Sequence, residues 1–151
     1  MLIIILRKMN GISGKIKINE PLGIDAKNFK EPLEGKIKFL KDEEEIIPNL
    51  FVKYEFGNTP SSINLLLNSD NEGKRIWFIG DLVHSDLQFE NPNQSYYTDN
   101  NEERTIKTRQ NILEDLSKPN TIIPNGHFIN EAFGYLKKDD KGKYKFERYT
   151  K

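Results

Sequence analysis

WFIGDLVHSDLQF, residues 77–89, decides how this chain is read. Its first half, with Arg75 and Ile76 before it, is a short apolar run of the kind that forms a buried strand, and Gly80 ends it just before Asp81. A carboxylate at the C-terminal end of a strand, with glycine beside it, is well placed to reach a metal ion or a substrate. The same letters also fit a loop aspartate that accepts backbone N–H groups. Both readings stay open on this stretch alone. Trp77 and Phe78 are neighbours on a strand and must point to opposite faces, so at least one belongs to the core.

Upstream, residues 49–56 (NLFVKYEF) and 63–68 (INLLLN) are strand candidates, and a turn at 71–73 joins the second to the strand 75–79 as a hairpin. Residues 36–40 alternate apolar and charged side chains, as a half-buried strand does, and 41–45 form an acidic turn. Residues 2–6 read as a buried strand with a turn at Asn10 and Gly11, whereas 14–34 is polar, holds Pro21, Gly23 and Pro32, and shows no period. Downstream, 84–101 is loop-like. Asp99, Asn100 and Asn101 then offer capping oxygens to a helix that runs to Leu116 or Ser117 and ends before Pro119. Its apolar positions are Ile106, Ile112, Leu113 and Leu116. A strand at 121–123, a turn at 124–126 and His127 follow, and strands 132–137 and 143–149 flank a turn at 140–142. Many strands with one clear helix predict an α+β fold in a single domain.

Composition narrows the partners. The chain's 151 residues are 36% hydrophobic, enough for one core, and 23 basic residues against 23 acidic ones leave a formal net charge of zero. No overall field favours nucleic acid or an anionic membrane, so neither is expected as a partner. Lys137, Lys138, Lys141, Lys143 and Lys145 are interleaved with Asp139 and Asp140 and read as the solvated rim of a hairpin. The absence of cysteine excludes disulfides, thiolate zinc sites and cysteine nucleophiles, and fits a reducing compartment. The opening MLIIILRK places its basic residues after a short apolar run, the reverse of a signal peptide, and is too short for a membrane span. A soluble, cytoplasmic protein is expected. There is no G-x-S-x-G elbow, P-loop or dinucleotide fingerprint, and Ser61, Ser62 and Ser85 lack an acid–base partner set.

Two histidines remain. His127 follows the strand 121–123 by a short turn with Gly126 just before it; a lone histidine there is more often a structural residue than a ligand. His84, three residues after Asp81, is positioned to orient the carboxylate.

The order of these pieces adds specificity. GDLVHSDLQFENP, then NNEERTIKTRQNILEDL, TIIPNGHF and FGYLKKDDKGKYKF, together resemble the C-terminal half of metallo-β-lactamase-fold hydrolases, closest to the methyl parathion hydrolase and lactonase-like branch. PLEGKIKFLKDEEEIIPNLFVKYEF is similar to that group's approach to its third metal motif, so the resemblance runs from Pro32 to Phe146 and leaves 1–31 as a divergent N-terminal segment. It implies a partial αβ/βα sandwich, mainly one mixed β-sheet with few helices. In that family a glycine-histidine-threonine-proline loop delivers an imidazole to zinc; here the loop is Gly57–Asn58–Thr59–Pro60, with Asn58 at the ligand position and Ser62 at a second histidine position. An amide oxygen binds zinc far less readily than imidazole does.

Carried over by position, the resemblance implies that Asp81 bridges two metals, His127 ligates one of them and His84 supports the pair. The H-x-H-x-D-H signature, with the half of the fold that carries it, is not in the sequence. A zinc centre needs three suitable protein ligands and an open position, and Asp81 and His127 have only Asn58 or His84 as thirds. Two readings of function follow. One is a truncated or degenerate metal-dependent hydrolase of ester, lactone or phosphotriester bonds, holding zinc or another divalent metal and acting on a small molecule once a second chain supplies the missing half. The other is a non-catalytic binding or assembly module derived from that fold. Either way the lost half should bare an apolar sheet face, for the N-terminal segment, a homodimer or another partner to cover. The aromatics Trp77, Phe78, Phe89, Tyr96 and Tyr97 are available to wall a pocket.

Overall fold

The structure, a computed structural model, describes residues 4–7, 37–60, 62–69, 73–128 and 132–149. The turn expected at Asn10 and Gly11, the polar stretch 14–34 and Asn71 of the expected hairpin turn lie outside the described residues. The chain divides into two units, Met1–Lys41 and Asp42–Lys151. In the first, β1 (Ile4–Arg7) pairs with β2 (Ile37–Leu40) in parallel, Ile4 opposite Ile37 and Arg7 opposite Leu40.

The second unit is built on one seven-stranded mixed sheet whose strands lie in chain order: β3 (Glu45–Ile47), β4 (Leu50–Tyr54), β5 (Ile63–Asn68), β6 (Arg75–Phe78), β7 (Thr121–Pro124), β8 (Phe133–Lys138) and β9 (Tyr144–Arg148). Every pairing is antiparallel except β6 with β7, where Arg75 lies opposite Thr121 and Ile76 opposite Ile122. This is the α+β, mainly one-sheet architecture that the sequence implies.

Register sorts the side chains into two faces, because directly opposed residues point the same way. Phe51, Leu66 and Trp77 form one row across β4, β5 and β6, and Ile123, Leu136 and Phe146 continue that face. Onto it pack α1 (Leu87–Glu90) through Phe89 and α2 (Glu102–Leu116) through Leu113 and Leu116, with Val83 and Phe128 closing the core. Phe89, Phe128 and Phe146 meet ring against ring, with centroids 4.9 to 6.0 Å apart. The opposite face is also apolar: Val52 lies opposite Leu65, which lies opposite Phe78, and Leu67 lies opposite Ile76. On that face Phe78 is 41% exposed and Phe133 56%. Of the adjacent pair Trp77 and Phe78, the tryptophan is the core residue.

Helix α2 differs from its reading in sequence. Asn101 caps it as expected, accepting from the Arg104 N–H at 2.9 Å. Its buried face, however, is Thr105, Arg109, Leu113 and Leu116, while Ile106 and Ile112 are half-buried. The stripe is shifted because polar partners await Thr105 and Arg109: the Thr105 hydroxyl donates to Asn101 O, and Arg109 reaches loop carbonyls. Two short elements also have no counterpart in the sequence reading. Strand β3 lies at the sheet edge, and α1 forms within the expected loop because Asp86 accepts from the Leu87 N–H at 3.0 Å.

Candidate metal centre

Asp81, His84 and His127 are delivered to one place by two loops at the β6 and β7 strand ends. Gly80 adopts φ +47°, a conformation that costs other residues a steric clash, and opens a 3-10 turn over Gly80–Leu82. That turn lifts Asp81 off the strand, while Leu82 and Val83, both fully buried, pin the loop from beneath. The second loop is clamped to the first by Asn125. Its amide nitrogen donates to Val83 O at 2.8 Å, and its oxygen accepts from the His127 N–H at 2.7 Å. Gln88 holds the remaining stretch, its oxygen taking the His84 N–H at 2.7 Å and its nitrogen donating to Gln94 O at 3.0 Å.

The result is compact. His127 Nε2 lies 2.8 Å from Asp81 Oδ1, and the His84 and His127 ring centroids are 4.6 Å apart. One potential ligand atom from each of the three residues lies within 4.8 Å of the others. The His84 ring stacks on Tyr96, 3.9 Å between centroids at 10°, and its Nδ1 is buried without a hydrogen-bond partner. Burial, then the neighbouring His127, depresses the His84 pKa, although Asp81 and Asp99 oppose this. Its imidazole is therefore held neutral, the form that carries a lone pair for a metal. A carboxylate and two imidazoles at this spacing are a donor set that suits zinc. The set fits one divalent ion with three protein ligands.

Asn58 is fixed by a separate set of contacts. The loop that carries it is pressed against the start of α2: Asn100 N–H donates to Asn58 O and Asn101 N–H to Gly57 O, both at 2.9 Å. At Gly57, with φ +133°, a Cβ would lie 2.3 Å from Thr105 N. Only glycine fits. Asn58 is buried, and its side-chain nitrogen faces Asp99 Oδ1 at 3.4 Å; the other Asp99 oxygen accepts from the Tyr96 N–H at 2.9 Å.

Beneath these residues lies a polar layer that sequence reasoning missed. Glu55 is only 1% exposed, and its Oε1 has no partner. The Asn64 amide, turned so that its nitrogen faces the acceptors, donates to Glu55 Oε2 and to Ile79 O, each at 3.1 Å. Desolvation, then the charges of Asp81 and Asp99, push Glu55 up to about 8 against the pull of Arg109. Arg109 is fully buried. Its Nε donates to Leu82 O, and one terminal nitrogen donates to Pro92 O and Gln94 O, while the other has no partner. Glu55 and Arg109 carry the charge signature of a site, yet in sequence one stands at a strand end and the other on a helix, with no motif around either.

Compared as sequence, the chain matches no protein-family model and no curated protein. Compared as structure, it has the fold of part of several metallo-β-lactamase-superfamily hydrolases. With AidC, a dizinc quorum-quenching lactonase in complex with a product, the TM-score is 0.70 at 20% identity over 82% of this chain and 42% of that one. With AbOPH, a hydrolase in the beta lactamase superfamily, it is 0.70 at 24% identity over 80% and 42%. With an N-acyl homoserine lactone hydrolase bearing N-hexanoyl-L-homoserine at its catalytic metal centre, it is 0.53 at 20% identity over 62% and 36%. The chain thus spans less than half the length of the solved structures it matches.

Proposed function

We propose that this chain is one part of a metal-dependent hydrolase scaffold of metallo-β-lactamase fold, derived from enzymes that cleave ester, lactone or phosphotriester bonds. In this reading Asp81, His84 and His127 hold a single divalent ion, zinc by preference. The supporting observation is the convergence of their three ligand atoms within 4.8 Å on loops that Asn125, Gln88 and Arg109 lock in place. A divalent ion held there supplies Lewis acidity, polarising a carbonyl or phosphoryl oxygen and acidifying water.

The chain's own residues contribute the rest. The hydrogen bond between His127 and Asp81 holds the two side chains facing each other, and an ion gripped by the same atoms would take the place of its proton. His84, neutral and stacked on Tyr96, presents one edge of its ring to the centre. Tyr97 is 88% exposed and stands 4.7 Å from the Tyr96 ring, giving an aromatic flank on which the apolar part of a small substrate can lie. Turnover needs more than this chain offers, because the second histidine cluster of a dinuclear centre is not in its sequence. A companion chain that carries that cluster would complete the centre, and either that chain or a second copy of this one would cover the apolar face bearing Phe78 and Phe133. Without such a partner the chain acts as a metal-holding binding or assembly module. Among the described residues no helix is long and apolar enough to cross a membrane.

The test is metal stoichiometry on chelator-stripped protein. One zinc per chain in the wild type and none in His127→Ala supports the reading. Wild-type protein that takes up less than about a tenth of an equivalent, at zinc levels where a three-ligand protein site saturates, sinks it. An aryl ester or lactone assay, alone and with a candidate companion chain, then separates module from enzyme.

A further inference from the structure

The two loops that carry Asp81, His84 and His127 leave the sheet at its shortest junction. Strands β6 and β7 pair only through Arg75 with Thr121 and Ile76 with Ile122, and all three residues lie beyond the last of these pairs. Among the described residues, no backbone hydrogen bond joins residues 80–86 to residues 125–128. Two side-chain hydrogen bonds do so there: His127 Nε2 with Asp81 Oδ1, and Asn125 Nδ2 to Val83 O, each at 2.8 Å. The first is made by two of the candidate ligands themselves, so an ion that takes both atoms takes that bond away. The second then spans the gap alone among the described residues. Apolar packing of Val83 and Phe128 holds both loops down, but it has no direction, whereas a hydrogen bond fixes distance and angle.

We propose that Asn125 is a positioning residue of the metal centre, setting the gap between His84 and His127 before any ion arrives and keeping it afterwards. The inference rests on the reading that Asp81, His84 and His127 hold one divalent ion. Asn125 stands directly after β7 and is only 5% exposed. Its backbone N–H donates to Ala132 O at 2.9 Å, which roots it just before β8. From that root the side chain works in two directions. Its oxygen accepts from the His127 N–H at 2.7 Å and fixes the turn on which that imidazole stands. Its nitrogen reaches the carbonyl of Val83, the chain neighbour of His84. The His84 N–H is held in turn by Gln88 Oε1 at 2.7 Å. Each imidazole thus has its own backbone N–H on a buried carboxamide, and Asn125 ties the two assemblies together. The task needs a donor and an acceptor on one short, uncharged side chain. Aspartate would set a second acceptor against Val83 O, and leucine, of similar size, offers neither group. Ligands held in place in this way leave less ordering to the binding step.

Proton magnetic resonance of the full chain in chelator, followed by zinc calorimetry on the same proteins after the chelator is removed, tests it. In the wild type the His84 and His127 rings, 4.6 Å apart between centroids, should show an Overhauser contact without metal, and the His127 amide should exchange slowly. Asn125→Leu should lose the ring contact and weaken zinc by about tenfold or more, as removal of a partner that orients a ligand does. Asn125→Ser, too short to reach both partners, takes its place if the leucine variant does not fold. Asp115→Ala, a destabilised control at the far end of α2, should keep both the contact and the zinc, which separates positioning from general loosening. A folded Asn125 variant with the wild-type ring contact or wild-type zinc affinity overturns the inference. So does a His127 amide that exchanges freely in the wild type, a result that needs no variant. If the wild type still takes one zinc per chain, either result removes the inference alone and leaves the metal-centre reading standing. A wild-type chain that takes up no zinc removes both.

Discussion

Helix α2 joins two regions built on opposite terms. At its C-terminal end, Asp115 accepts from Trp77 Nε1 at 2.9 Å and pairs with Arg75 from β6 and with Lys118. Burial there raises the Asp115 pKa, but the hydrogen bonds from Lys118 and Arg75 outweigh it and keep the carboxylate charged. The Thr121 hydroxyl, on the strand beside Arg75, is the one buried side-chain polar atom left unpaired near it among the described residues. Along the N-terminal half, by contrast, Glu55, Arg109 and His84 each bury an unpartnered polar atom. The two ends of one helix therefore treat buried polar groups differently, one pairing its charges and the other leaving polar atoms open.

If that contrast is right, substitutions at the two regions should fail differently. The largest effect should come from the packing beneath the open region. Gly57→Ala forces a Cβ into the α2 backbone at a positive φ, and should cost about 3 kcal/mol or more in urea unfolding. A native-like midpoint would show that the loop can move off the helix. Next, Asp115→Ala strands the Arg75 guanidinium and the Trp77 N–H, and should cost about 2–3 kcal/mol without changing metal uptake.

The third effect is one of sign. Glu55, held near 8 against its ordinary 4.5, keeps a proton in the folded state that the unfolded chain releases, so stability should fall as pH rises from about 5 to 8. In chelator we expect the wild type to lose stability across that window and Glu55→Gln to lack this loss. A wild-type profile as flat as the variant's would erase the contrast. The smallest is Asn101→Ala, which removes one cap hydrogen bond and should cost about 1 kcal/mol in the same melts.

Most of the sheet was readable from pattern. INLLLN alternates as β5 does, and RIWF ends where Gly80 turns the chain. The convergence of Asp81 and His127, forty-six residues apart, was implied by the resemblance and by their places at strand ends, and their 2.8 Å contact agrees with it. What escaped was the polar interior. Thr105 and Arg109 lie on the buried face of α2 because loop carbonyls and a cap await them, and hydrophobic periodicity has no symbol for such a site. Glu55 lies within the strand candidate 49–56, with nothing in the pattern to mark it. It is held by Asn64 of β5, which also reaches Ile79 O just past the end of β6, a long-range fact that no local window holds.

One junction in the sheet has a mechanical consequence. The single parallel pairing, β6 to β7, is only two residue pairs long and divides an otherwise sequential ribbon into blocks β3–β6 and β7–β9. Each block zips up from neighbours, but the seam must wait for the long crossover to close, at an entropic cost paid late in folding. Asp81 hangs from one block and His127 from the other, so their hydrogen bond crosses the seam. Whatever grips both residues acts as a rivet, and amides along β6 and β7 should exchange more slowly in its presence.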